Sequence, residues 1–307
     1  MIGACGGTPI EIMSASVIEW NWHGERIVLG ADAAGAGPRV LLLPALSSIS
    51  TRHEMRPLQE RLSQRYATFA TDWPGFGDRA RPQVDWAPEI YSAFLSFLLQ
   101  SVIAQPHAII AAGHAATYLL KHAASSSSAT TRLVLIAPTW RGPLPTMMGG
   151  ERPWFDHICR LVDHPGLGPL LYRLNVNRFV VRRMGAGHVY CDRAFLSGDR
   201  LQEKLAVTRA PGARFGSVRF VTGRLDPLAS RADFLDLARR AGVPILLIYG
   251  ADTPTRSRAK MEALAVAPGV RTVVLPRGKL AVHEEFPDAT NEAIDAFLRE
   301  EPSEAAN

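Results

Sequence analysis

Ala108-Ile-Ile-Ala-Ala-Gly-His-Ala-Ala-Thr-Tyr-Leu-Leu-Lys-His122 carries three signals in a row. The apolar run at its start reads as a buried strand, Gly113 marks a sharp turn, and residues 116–124 are helix-compatible. Similar short apolar runs recur at 39–43, 67–71, 133–136, 219–222, 245–249 and 271–275, most of them followed by helix-compatible stretches such as 231–240. Strand and helix in alternation predict an α/β fold, a mostly parallel sheet with helices on both faces. Residues 17–29 read as a strand that ends in a Gly-rich turn at 31–38, so a hairpin leads into the buried strand at 39–43.

The alternation breaks once. Between 138 and 215 no strand is evident, and amphipathic pieces at 154–162 and 170–184 predict a helical insertion. The division this predicts is an N-terminal extension (1–16), a core (17–137 and 216–299), a helical cap (138–215) and a polar tail (300–307). A serine run, Ser125 to Ser128, reads as a loop.

The 307 residues, 47% hydrophobic and 21% charged, are enough to bury a large core. The net charge of +5 is small. The insertion alone holds twelve Lys and Arg against six Asp and Glu, so the basic excess sits there. This balance argues against a nucleic-acid partner. Residues 1–16 lack the pattern of a secretory signal, and no apolar run approaches the roughly 20 residues a membrane span needs. Three widely spaced cysteines (Cys5, Cys159, Cys191) outline neither a disulfide framework nor a zinc site, which implies a soluble protein of a reducing, cytoplasmic compartment. No HExxH pair, Cys/His cluster or phosphate-binding glycine loop is present, so neither a metal nor a nucleotide cofactor is expected.

A strand, a Gly-containing turn and a helix form the framework of a nucleophile elbow. With this framework go Asp72-Trp-Pro-Gly-Phe-Gly77, Gly250-Ala-Asp-Thr-Pro254 and Val282-His-Glu-Glu-Phe-Pro287. In these motifs and their order the chain resembles the α/β-hydrolase fold superfamily from about Val17 to Leu298. The resemblance implies an elbow at Gly113-His-Ala-Ala-Thr117, with Ala115 in the nucleophile slot, Asp252 as the acid, His283 as the base and the insertion as a cap. Asp226, in Gly223-Arg-Leu-Asp-Pro227, is the alternative acid. The N–H groups of Leu46 and Ala116 match the oxyanion donors, although Pro44-Ala-Leu46 replaces the usual His-Gly.

A methyl group can neither lose a proton nor attack a carbonyl, so Ala115 excludes an acyl-serine intermediate there. Three readings are open: a disabled variant of a serine enzyme, an enzyme working through the His–Asp pair alone, and a retired enzyme that only binds. The first two imply a cofactor-free enzyme. Its substrate would be an ester, thioester or activated carbonyl compound, or, with the pair as general base, the substrate of a lyase, isomerase or oxygenase. That compound is expected to be small to medium and apolar, neutral or anionic, under a roof that includes Trp140, Met147, Trp154 and Phe155. His114 is expected to pack, Ser47, Ser48 and Ser50 to form turns, and Thr117 to point poorly for attack.

Overall fold

The computed structural model describes residues 14–125 and 132–300. Cys5, most of the N-terminal extension, Ser126 to Ser128 and all but the first residue of the tail lie outside them. Eight strands form one sheet: β1 (Ser14–Trp22), β2 (Glu25–Ala34), β3 (Arg39–Leu43), β4 (Ala67–Thr71), β5 (Ala108–Ala112), β6 (Arg132–Ile136), β7 (Ile245–Gly250) and β8 (Val270–Leu275). Their order is β1-β2-β4-β3-β5-β6-β7-β8. The β1/β2 and β2/β4 pairs are antiparallel and all others parallel, as the alternation of strand and helix predicts.

Composition explains the position of each strand. Strands β5, β6 and β7 are buried along their whole length, as near-continuous apolar runs in the middle of a parallel sheet must be. β1, at the edge, buries Ile18 and Trp20 and exposes the residues between them, the period of a one-sided strand. The expected single strand at 17–29 is in fact a hairpin whose turn is His23-Gly24. Both residues take positive φ (50° and 89°), which matches the twist of the flanking strands. Ala31 to Ala34, read as part of a turn, belong to β2.

The expected strand at 219–222 is instead the end of the helix Ala213–Thr222. The misleading signal is Phe220-Val221-Thr222, a strand-like triplet. Two tertiary features override it. Val218 and Thr222, one helical turn apart, face Cys159 and Val162 of the neighbouring helix Phe155–Asp163. Gly223 then ends the helix in the left-handed conformation (φ 79°), and the Arg224 N–H closes on Arg219 O at 2.8 Å. The whole chain between β6 and the helix Arg231–Arg240 is therefore free of strands. Within it, the amphipathic piece at 170–184 is two helices, Gly168–Asn175 and Arg178–Met184, divided where the Asn177 side chain caps the second. Among the described residues, no helix is long and apolar enough to cross a membrane.

Candidate active site

At the end of β5 the chain reverses in two residues into the helix Ala115–Ser125. Gly113 makes that reversal with φ 53°, in the left-handed region where glycine carries no steric penalty. Its N–H donates to Ile136 O (2.9 Å) and its carbonyl accepts from Thr139 N–H (3.0 Å), which ties the turn to the end of β6. Ala115 begins the helix, is fully buried and does not line the cavity described below. The apex of the turn is thus Gly113, two residues before the expected slot. Ala111 and Ala115 flank it at the two small positions that such a turn needs. The Gly-His pair gave the wrong alignment because it matches a familiar pattern, whereas backbone strain selects the residue at the apex.

The oxyanion donors shift as well. The Ala116 N–H is taken by Gly113 O at 3.3 Å, so it is committed to the turn. His114 now follows the apex, and His114 and Leu46 both line the cavity; among the described residues neither backbone N–H has an acceptor. A Cβ placed on Gly113 would lie 3.1 Å from the Cβ of Ala45, tighter than an ordinary contact. Ala45 stands in the loop after β3, where the resemblance calls for the Gly of His-Gly, so its methyl group crowds the position a serine Cβ would take.

His283 lies in the short helix Val282–Glu285, is almost completely buried, and faces the same cavity. Among the described residues neither ring nitrogen has a hydrogen-bond partner. The two candidate acids stand elsewhere. Asp252 is exposed, and its Oδ2 accepts from Cys191 Sγ and Gly278 N–H (both 3.1 Å), contacts that hold the carboxyl below its usual range. Asp226 is buried beside His114 (3.4 Å) and accepts from Gly142 N–H (2.9 Å). Burial pushes it up to about 7 against that N–H. His114 itself is pushed down to about 4 by burial, and its Nε2 lies 3.1 Å from Leu225 O, a packed residue as expected.

The carboxylate nearest His283 is Glu54, which has no motif to announce it. Its Oε1 is 3.7 Å from His283 Nε2 and accepts from Ala45 N–H at 2.6 Å. Burial opposes its ionisation, but His283, Lys204 and the Ala45 N–H outweigh that and hold Glu54 below the usual carboxylate range. Lys204, from the helix Gly198–Arg209, sits 3.6 Å from Glu54 and 3.0 Å from Glu284. Burial penalises its charge, yet Glu284, Tyr190 and Glu54 together raise its affinity for the proton. Tyr190 donates to Glu284 at 2.7 Å. Lys204 does leave a trace in the sequence: it occupies the apolar face of its helix, next to Leu201 and Leu205.

These groups line a cavity of about 110 Å³ together with Gly113 and Leu46. From the helical stretch between β6 and β7, Val189, Tyr190, Lys204 and Phe220 also line it. The four roof residues expected from the sequence are not there. Trp140 is buried with the Arg141 guanidinium stacked on it at 4.2 Å, Met147 and Trp154 are about half exposed, and Phe155 is buried edge-on to Trp154. Glu54, His283 and Glu284 could converge on a cation, their donor atoms lying within 4.8 Å of one another. The Lys204 ammonium already pairs with both carboxylates, so the donor set has an internal cation where a metal would otherwise sit.

A sequence model of the alpha/beta hydrolase family matches residues 40–293. The chain is 25% identical over 287 residues to the 2-(acetamidomethylene)succinate hydrolase of Mesorhizobium japonicum, covering 89% of this chain and 92% of that protein. Among solved structures, a thermophilic esterase from Thermogutta terrifontis superposes with a TM-score of 0.70 at 18% identity, over 93% of this chain and 98% of the other. The enol-lactonase of Burkholderia xenovorans LB400 superposes with a TM-score of 0.67 at 16% identity, over 89% and 97%. The family model spans well over half of the sequence, and the chain belongs to the alpha/beta hydrolase family.

Proposed function

We propose that the cavity under the cap is a cofactor-free active site in which His283 is a general base, oriented by Glu54, with no covalent nucleophile. The observation that carries this reading is a buried histidine 3.7 Å from a buried carboxylate, lining the same cavity as a turn whose apex has no side chain. The substrate is a small apolar ester, thioester or activated carbonyl compound. In hydrolysis His283 takes a proton from water, the oxygen of that water adds to the carbonyl carbon, and the N–H groups of Leu46 and His114 receive the developing oxyanion. The protonated imidazole then gives its proton to the leaving group. Asp252 and Asp226 have no part in this scheme. With a substrate that carries an acidic C–H, the same base supports elimination or isomerisation.

At about 110 Å³ the cavity falls below the usual range for a small-molecule site, so entry requires the cap to move away from the His283 turn. The cap is held there by Ala281 N–H to Val189 O (3.1 Å), Cys191 N–H to Glu285 (2.9 Å) and the Lys204 pair. The same tightness favours a second reading, a retired site that binds and does not turn over.

Pre-steady-state hydrolysis of p-nitrophenyl acetate separates the two. General-base turnover gives product without an initial burst, and His283→Ala lowers the rate by about 10²–10⁴-fold. An unchanged rate in that variant would leave only the binding reading. A stoichiometric burst would show that a nucleophile exists after all.

A further inference from the structure

We propose that the cap carries a second ligand site, for a small phosphorylated organic anion, separate from the His283 cavity and independent of its chemistry. The site is a cavity of about 530 Å³ between the helices Gly168–Asn175, Arg178–Met184, Gly198–Arg209 and Ala213–Thr222. Its volume is that of an ordinary small-molecule pocket and too large for a lone inorganic phosphate.

Four arginines line it (Arg173, Arg178, Arg209 and Arg214), and none of the lining residues is acidic. Two arginines just beyond the pocket are paired, Arg219 with Asp163 at 2.9 Å and Arg224 with Asp156. Among the described residues, Arg173, Arg178 and Arg209 have neither an ion pair nor a side-chain hydrogen bond. Arg214 is held in place by its Nε bond to Val162 O (3.1 Å) and by stacking over Phe215 (4.0 Å), which leaves its other N–H donors available. Four guanidinium groups around one pocket repel one another, and an anion with several acceptor oxygens relieves that repulsion.

Two further features point the same way. The helix Ala213–Thr222 starts at this wall with no side chain capping it, the N–H groups of Ala213 and Phe215 bonding the backbone carbonyls of Ala210 and Gly212 (3.0 and 3.2 Å), and its dipole adds positive potential there. Behind the wall, Arg81 is buried at 6% exposure and bonds Pro211 O through its N–H (2.9 Å) and Val207 O through Nη2 (3.1 Å). Its Nε and Nη1 have no partner among the described residues. Among the described residues Arg81 forms no ion pair, so its charge, offset only at a distance by Asp72 and Asp78, adds to the positive potential of the pocket. Val176, Leu205 and Pro211 supply apolar walls, which fit an organic body attached to the phosphate. Guanidinium forks match the geometry of phosphate, and several of them around one pocket favour its double charge over a single carboxylate.

Isothermal titration of the full chain with inorganic pyrophosphate tests the proposal, with citrate as a carboxylate of similar charge. The expected result is saturable pyrophosphate binding, tighter than citrate, that weakens at least tenfold in the Arg173→Ala/Arg209→Ala double variant while its melting temperature is retained. Binding should also weaken steadily with added salt. No saturable binding by the wild type, or equal binding by the double variant, would overturn the site. Citrate binding more tightly than pyrophosphate would overturn the ligand class.

Discussion

The two cavities share a helix and treat charge in opposite ways. Gly198–Arg209 sends Lys204 into the cavity at His283, where Glu54 and Glu284 neutralise it, and sends Leu205, Thr208 and Arg209 into the cap pocket, where no lining group neutralises the arginine. The first is small and its charges are mutually satisfied, so removing one partner strands the others in a low-dielectric setting. The second is about five times larger and its charges face solvent, so removing one strands nothing. Charge that is paired inside the protein holds structure, and charge left unpaired at a surface pocket is available to a ligand.

The most damaging substitution should be Lys204→Met. It leaves Glu54 and Glu284 close together, buried and without a cation, at a cost of about 3–5 kcal/mol in urea denaturation. Neutralising both carboxylates in the same chain, with Glu54→Gln and Glu284→Gln, should restore most of that loss. If Lys204→Met alone costs less than about 1 kcal/mol, the contrast between the cavities fails. Acid should reveal the same pairing. Because the folded protein holds Glu54 below its ordinary pKa, its contribution is present above that ordinary value and is lost as pH falls through the lowered one. The urea midpoint should therefore decline from about pH 5 downward, and Glu54→Gln should flatten the decline.

A smaller effect is expected at the apex. Gly113→Ser must take a left-handed backbone and press on Ala45, costing about 1–2 kcal/mol. Adding Ala45→Gly should recover the steric part and yield an acyl adduct at position 113 after treatment with p-nitrophenyl acetate, visible by mass spectrometry. Ala115→Ser should yield none, because that position is buried in the helix. The smallest change belongs to the cap pocket: Arg173→Ala and Arg209→Ala should each alter stability by no more than about 0.5 kcal/mol.

Much of the fold was legible because it rests on local patterns. Strands β5, β6 and β7 announce themselves as apolar runs too short for a helix, and Arg231–Arg240 has the same bounds in sequence and structure. Phe220-Val221-Thr222 was misread because a neighbour's surface, invisible in sequence, turned a strand-like triplet into the last turn of a helix. The site was legible only in part. His283 could be found from its turn before the final helix, but Glu54 could not, since nothing in Thr51-Arg-His-Glu54 marks a carboxylate that will meet a histidine far along the chain.

Sequence by itself determined the sheet, the helical insertion, the basic character of that insertion and the absence of a serine hydroxyl at the turn after β5. Those properties depend on composition, periodicity and residue identity, which folding does not change. Tertiary structure alone decided that Gly113 is the apex, that Glu54 and Lys204 rather than Asp252 or Asp226 stand with His283, and that Val189 and Tyr190 rather than Trp140 and Met147 line the cavity. Each is a matter of backbone strain or of proximity between distant segments. A buried charge finds its partner through the packing of the whole chain, and no spacing along the sequence encodes that distance.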